Sequence, residues 1–115
     1  MELSGKNTMV VGLGETGLAV VRFLRTRGAN VRVNDQRDAQ ALGQAAQEAE
    51  TLGAELVLGG HPESAFEGLD LIVVSPGVSP LQALDRAEER GTPVIGEIEL
   101  AARYSQAPIV AITGT

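Results

Sequence analysis

Met9-Val10-Val11-Gly12-Leu13-Gly14-Glu15-Thr16-Gly17 is the stretch whose reading decides the fold. An apolar run leads into three glycines spaced G-x-G-x-x-G, and a helical pattern begins near Thr16. The run reads as a buried strand and the glycines as the turn out of it. Gly12 permits the tight turn, Gly14 lets a phosphate approach the backbone, and Gly17 lets the helix pack close to the sheet. The first amides of a helix have no partner inside it, and the helix dipole adds partial positive charge there. The expected product is an anion cradle, usually for a diphosphate.

Outward from this stretch, apolar strands alternate with helical patterns. Strands are expected at 8–11, 30–34, 55–58, 69–74 and 93–95, the fourth being the most apolar and so central. Helices are expected at 16–27, ended by Gly28, and at 39–52, with Leu42, Ala45, Ala46, Ala49 and Leu52 as one stripe. Gly59-Gly60-His61-Pro62 reads as a loop, followed by a helical turn over 63–66. A third helix is expected to open with Ser79 as cap, Pro80 at its first position and Gln82 placed for a capping box. A fourth, over 97–103, carries acids in its first turn and Arg103 in its last, matching the dipole. Such alternation predicts an α/β fold: a Rossmann-like, doubly wound parallel sheet of about five strands.

Composition narrows the class. A chain of 115 residues holds one domain, or one domain and the start of another, and buries roughly two-thirds of its unfolded surface. Its net charge of −6 argues against a nucleic-acid partner, because no basic face is available to neutralise many phosphates. A small anion can still bind, since local amides outweigh global charge there. The chain has no cysteine, which excludes thiol chemistry and suits a cytoplasmic protein. Met1-Glu2-Leu3-Ser4 does not open like a signal peptide, and no apolar run is long enough to span a membrane.

Asp35 follows the last glycine at about the distance where an acid meets a ribose hydroxyl in dinucleotide sites, which favours NAD. Arg37 leaves that open, because a guanidinium there can take a ribose 2′-phosphate, as in NADP sites, or lie flat against a base. A helix-capping Asp followed by a solvated Arg is the plainer alternative. Ser75-Pro76-Gly77 stands at the carboxyl end of a strand, the edge where open α/β sheets bind ligands, and reads equally as a strand stop. His61 is the only histidine and reads as a surface-loop residue. Glu97 and Glu99 are explained by the helix dipole and do not face each other as a carboxylate pair. No catalytic or metal constellation emerges. The end of the sequence, Ile112-Thr113-Gly114-Thr115, reads either as a plain sixth strand or as the opening of a second phosphate loop, G-x-x-x-x-G-K-[ST].

The segments Val11-Gly12-Leu13-Gly14-Glu15-Thr16-Gly17, Asp35-Gln36-Arg37, Ser75-Pro76-Gly77-Val78, Gly96-Glu97-Ile98-Glu99-Leu100 and Ala107-Pro108-Ile109-Val110-Ala111-Ile112-Thr113-Gly114-Thr115 occur together in this order. On them the chain resembles the amino-terminal part of the Mur ligases, the D-glutamate-adding branch. The resemblance implies a UDP-binding domain over 1–96, and over 97–115 a linker helix and the first strand of an ATP-binding central domain. It implies ATP-dependent amide formation in cytoplasmic peptidoglycan synthesis. The substrates implied are UDP-N-acetylmuramoyl-L-alanine and D-glutamate, with ATP and Mg2+ required by the complete enzyme.

By the same resemblance the diphosphate meets Gly14, Glu15, Thr16 and Gly17. The uracil lies near Asp35, Gln36 and Arg37, with Ser75 and Gly77 closing the pocket, and Gly114 and Thr115 begin the ATP loop. Position 15 is often apolar in these ligases, so the Glu15 carboxylate is expected to point away from the diphosphate. Gln36 stands where a small hydroxyl residue is common. The chain by itself is expected to bind UDP without catalysing, holding no cofactor of its own, and its apolar strand 109–112 is expected to be disordered or to pair with another molecule, as in self-association. An NAD(P)-dependent oxidoreductase domain and a nucleotide-sensing regulatory module are the two rival readings.

Overall fold

The structure, a computed structural model, describes residues 2–104. The sheet has five strands: β1 (Asn7–Val11), β2 (Asn30–Asp35), β3 (Glu55–Leu58), β4 (Leu71–Val74) and β5 (Val94–Gly96). Their order is β3-β2-β1-β4-β5, and every pairing is parallel. The strand expected to be central, β4, is interior, between β1 and β5, while β1 occupies the middle. β1 sits there because it is apolar on both faces. Val10 belongs to the core on one side of the sheet, and Met9 and Val11 belong to the core on the other. A strand covered on both sides reads as a continuous apolar run.

The helices are α1 (Glu15–Thr26), α2 (Ala39–Leu42), α3 (Gln44–Thr51), α4 (Gln82–Glu89) and α5 (Glu97–Tyr104). Val20, Val21 and Leu24 of α1, Ala46 and Ala49 of α3 and Leu100 of α5 pack over one face with Val10, Val33 and Val73. On the opposite face Ala83, Leu84 and Ala87 of α4 pack with Phe66 from the 3-10 turn Glu63–Phe66. Helices on both faces make the sheet doubly wound. The winding reverses between β1 and β4, and open α/β sheets bind ligands in the crevice at such a reversal.

Two helical expectations are corrected. The helix expected over 39–52 is broken at Gly43, which adopts φ 60° and ψ −126° between α2 and α3. The Asp38 side chain caps α2 by accepting from the Ala41 amide. The apolar stripe survives the break, with Leu42, Ala46 and Ala49 buried, which is why periodicity alone reads one helix. The third expected helix begins two residues late. Its N-cap is Leu81 in extended backbone, with no side-chain cap, so Ser79, Pro80 and Gln82 form no capping box. A turn in which the Val78 amide donates to the Ser75 carbonyl holds this segment against the pocket instead.

Helix α5 packs onto the same core as α1. Its Leu100 is buried, the Phe23 and Tyr104 rings meet at 5.7 Å between centroids, and the Arg27 guanidinium lies over both rings. The strand expected at 109–112, with Gly114 and Thr115, lies outside the described residues. Among the described residues no helix is long and apolar enough to cross a membrane.

Candidate functional site

A cavity of about 660 Å³ opens at the carboxyl ends of the strands, beside the reversal between β1 and β4. Gly12, Gly14 and Thr16 line it from the glycine turn, Asp35, Gln36 and Arg37 from the end of β2, and Ser75 and Gly77 from the end of β4, together with His61. Glu15 and Gly17 do not line it. Glu15 is solvent-exposed and Gly17 buried.

The three glycines have different physical reasons. Gly12 takes φ +93°, and a Cβ there would lie 2.8 Å from Val78 Cγ2. Gly17 carries the closest approach, since a Cβ there would lie 2.3 Å from the Gly12 carbonyl oxygen. No side chain can occupy that gap, so the start of α1 is pressed against the strand. Gly14 is the reverse case: its added Cβ would meet nothing within 4 Å. The space over Gly14 is left open by the protein. Gly14 is also the N-cap of α1, without a capping side chain. Leu18 donates the first intrahelical bond, to the Gly14 carbonyl. Among the described residues the amides of Glu15, Thr16 and Gly17 have no acceptor, so a positive helix end borders the cavity.

Asp35 closes β2 and is buried. Among the described residues its carboxylate accepts four hydrogen bonds. Oδ1 takes the Arg37 amide at 2.8 Å and Arg37 Nε at 2.9 Å. Oδ2 takes the Leu13 amide at 2.7 Å and Arg37 Nη2 at 2.8 Å. A carboxylate offers about four lone-pair sites, so Asp35 is saturated. Burial pushes its carboxyl up, but the Arg37 side chain, the Leu13 and Arg37 amides and the Arg37 charge outweigh that and hold it down at about 2. The same pairing raises Arg37 above its ordinary value. Arg37 is thereby fixed in position while about half of its side chain stays exposed. The sequence sets an acid near a ribose hydroxyl against an arginine flat on a base; the geometry leaves the acid no capacity for a hydroxyl and presents the arginine.

Ser75 and Glu97 make a contact that sequence reading missed. The Ser75 hydroxyl lies 2.9 Å from the Gly12 carbonyl and 2.7 Å from Glu97 Oε2, facing two acceptors with one hydrogen. The link ties β4, the glycine turn and the first residue of α5 together. Dipole placement accounts for Glu97 at the sequence level, and no spacing rule connects residues 75 and 97. His61 is likewise misread as a plain surface residue. Its ring is half-buried, lines the cavity and pairs through Nδ1 with Asn34 Oδ1. The buried asparagine at the end of an apolar strand was the available signal, because a buried amide needs partners. Among the described residues no group of three or more His, Cys, Asp or Glu side chains is placed to hold a metal ion.

A family model described as "Mur ligase MurD-like, N-terminal domain" matches residues 6–96. The UDP-N-acetylmuramoylalanine–D-glutamate ligase of Desulfosudis oleivorans is 50% identical over 116 residues, covering all of this chain and 25% of that protein. The ligase of the same name from Geobacter metallireducens is 53% identical over 119 residues, covering all of this chain and 26% of that protein. The chain thus spans about a quarter of the length of the curated relatives it matches. Among solved structures, a pseudomurein peptide ligase type C from Methanothermus fervidus superposes with a TM-score of 0.69 at 23% identity, over 90% of this chain and 21% of that one. Shikimate dehydrogenase from Aquifex aeolicus superposes with a TM-score of 0.63 at 20% identity, over 97% of this chain and 53% of that one. These two likenesses establish a shared Rossmann-like fold.

Proposed function

The chain belongs to the Mur ligases, as their MurD-like N-terminal domain, and from that premise we propose that it holds the UDP end of UDP-N-acetylmuramoyl-L-alanine while D-glutamate is added to the other end. The diphosphate sits over Gly14 and takes the amides of Glu15, Thr16 and Gly17, with the Thr16 hydroxyl beside it. The uracil rests at Asp35, Gln36 and Arg37, and Ser75 and Gly77 close the far side. ATP and Mg2+ would be held by other parts of the longer ligase, where ATP would activate the substrate carboxylate for attack by the D-glutamate amine, with ADP and phosphate leaving. The reaction is cytoplasmic. The described residues supply binding and orientation: an uncapped helix end for the anion and a fixed, half-exposed guanidinium for the base.

The observation that carries this reading is the saturation of Asp35 by Arg37 and the Leu13 amide. A dinucleotide site uses that acid on the ribose, and here it has no lone pair left. The oxidoreductase reading is therefore the weaker one, although the fold is shared with a dehydrogenase. Backbone amide shifts followed with UDP, NADH, NADPH and AMP in parallel test the proposal. UDP alone is expected to move the amides of Gly12, Gly14, Thr16, Gln36 and Arg37. Tight binding of a nicotinamide cofactor, or shifts confined to another face, would overturn it. Pairing between chains through 109–112 is a separate proposal, checked by whether mass measured in solution rises with concentration.

A further inference from the structure

The amide of Asn34 determines which nitrogen of His61 carries a proton. Asn34 is fully buried at the end of β2. Its Nδ2 lies 2.9 Å from the Val57 carbonyl and 2.8 Å from the Gly60 carbonyl. Both neighbours are acceptors only, so the atom facing them must be the NH2 group, and both its hydrogens are used. Oδ1 is then the atom that faces His61, and it can only accept. The His61 Nδ1 paired with it must therefore bear the hydrogen. In the neutral ring Nε2 is left with a lone pair. His61 lines the cavity, and with Nδ1 engaged by Asn34 Nε2 is the ring nitrogen left to accept from a ligand.

The loop carrying His61 is held beside Asp35, Gln36 and Arg37. The Gly59 amide donates to the carbonyls of both Asp35 and Arg37, at 3.0 and 3.1 Å. The acceptor is thus set at the end of the cavity where the base is proposed to lie. We propose that His61 is a specificity residue for the nucleobase, its Nε2 accepting the imide N–H of a uracil ring, with Asn34 as the positioning residue that fixes the tautomer. The proposal rests on the reading of the base site given above. Its chemistry is selective. Uracil presents a donor at ring position 3, whereas cytosine is nearly isosteric and presents a lone pair there. Two facing lone pairs leave an acceptor unpaired on each side, and an unmet polar group costs free energy.

The test is calorimetric titration of the chain at about pH 8 with UDP, CDP and 2′-deoxy-UDP. UDP is expected to bind about tenfold or more tightly than CDP, the worth of one unpaired polar group, and about as tightly as 2′-deoxy-UDP. His61→Phe keeps a flat ring without the acceptor. It is expected to abolish the preference, weakening UDP and leaving CDP as tight or tighter because one of the two facing lone pairs is gone, with a melting curve confirming that the variant is folded. If that variant does not fold, His61→Ala is measured in the same way, and a folded variant at position 61 that keeps the preference for UDP would overturn the inference. Equal binding of UDP and CDP would overturn the inference and leave the proposed function standing. Loss confined to 2′-deoxy-UDP would assign the lone pair to a ribose hydroxyl and also overturn it. Absence of UDP binding would overturn both readings.

Discussion

Replacing Gly14 with alanine should separate folding from ligand binding in this domain. The new methyl would meet no protein atom within 4 Å. The backbone there, at φ −106° and ψ −159°, is extended and outside the left-handed region. No strain is introduced, and the unfolded chain loses some freedom. Stability should therefore be unchanged or rise by about 0.4–1 kcal/mol. Binding should move the other way. A methyl group over the N-terminus of α1 holds a phosphate off the amides that face it. Losing one or two charge-assisted hydrogen bonds, at roughly 1.5–3 kcal/mol each, weakens UDP binding by about 2–4 kcal/mol, or roughly 30- to 1,000-fold.

Gly17→Ala is the control with the opposite profile. Its methyl would lie 2.3 Å from the Gly12 carbonyl oxygen, a backbone atom that cannot swing aside. It should cost roughly 1–3 kcal/mol or more of stability, as overpacking does. Urea unfolding read by circular dichroism, together with UDP calorimetry on the same preparations, measures both quantities. A folded Gly14→Ala protein that bound UDP as tightly as the original would refute the reasoning, because the anion would then lie elsewhere than over that glycine.

Acid should remove a defined share of stability. The Asp35 carboxyl is held at about 2 against an ordinary 3.8, and a pKa lowered by folding stabilises the protein at pH values above the unfolded one. That contribution, roughly 2 kcal/mol, is present in full above about pH 4 and is lost as pH falls towards about 2. Urea midpoints between about pH 2 and pH 5 should show it in the parent and not in Asp35→Asn; equal slopes in both would place the effect on other groups. Gly43→Ala is expected to destabilise by roughly 1–2 kcal/mol, because φ 60° with ψ −126° suits glycine alone. A continuous helix would instead gain about 1 kcal/mol from alanine, so the sign of the change in urea midpoint distinguishes the two.

Much of the fold was legible because its signals are local. The β1 run, the glycine spacing and the apolar stripes each occupy consecutive residues, and each strand could be placed to within about two residues of its observed bounds. The two helical errors have a common cause. Periodicity reports which face is apolar, and that face continues across Gly43 although the backbone does not. Capping patterns report what a helix start can use, and the segment 78–81 is claimed instead by its packing at the cavity. Seven of the proposed ligand residues, Gly14, Thr16, Asp35, Gln36, Arg37, Ser75 and Gly77, line one opening. His61 was read as surface because its partner lies 27 positions away.

The sequence by itself determined the alternation of strands and helices, the glycine turn between the first strand and the first helix, and the family resemblance. Those follow from residue types at short spacing, where sterics and periodicity act directly. Only the tertiary structure decided that Asp35 is saturated by Arg37 and Leu13, that Ser75 joins Glu97, and that Asn34 fixes the His61 tautomer. Each of these depends on how many hydrogen-bond sites a group has left after its neighbours are satisfied. That balance exists only once separate strands have brought those neighbours within reach.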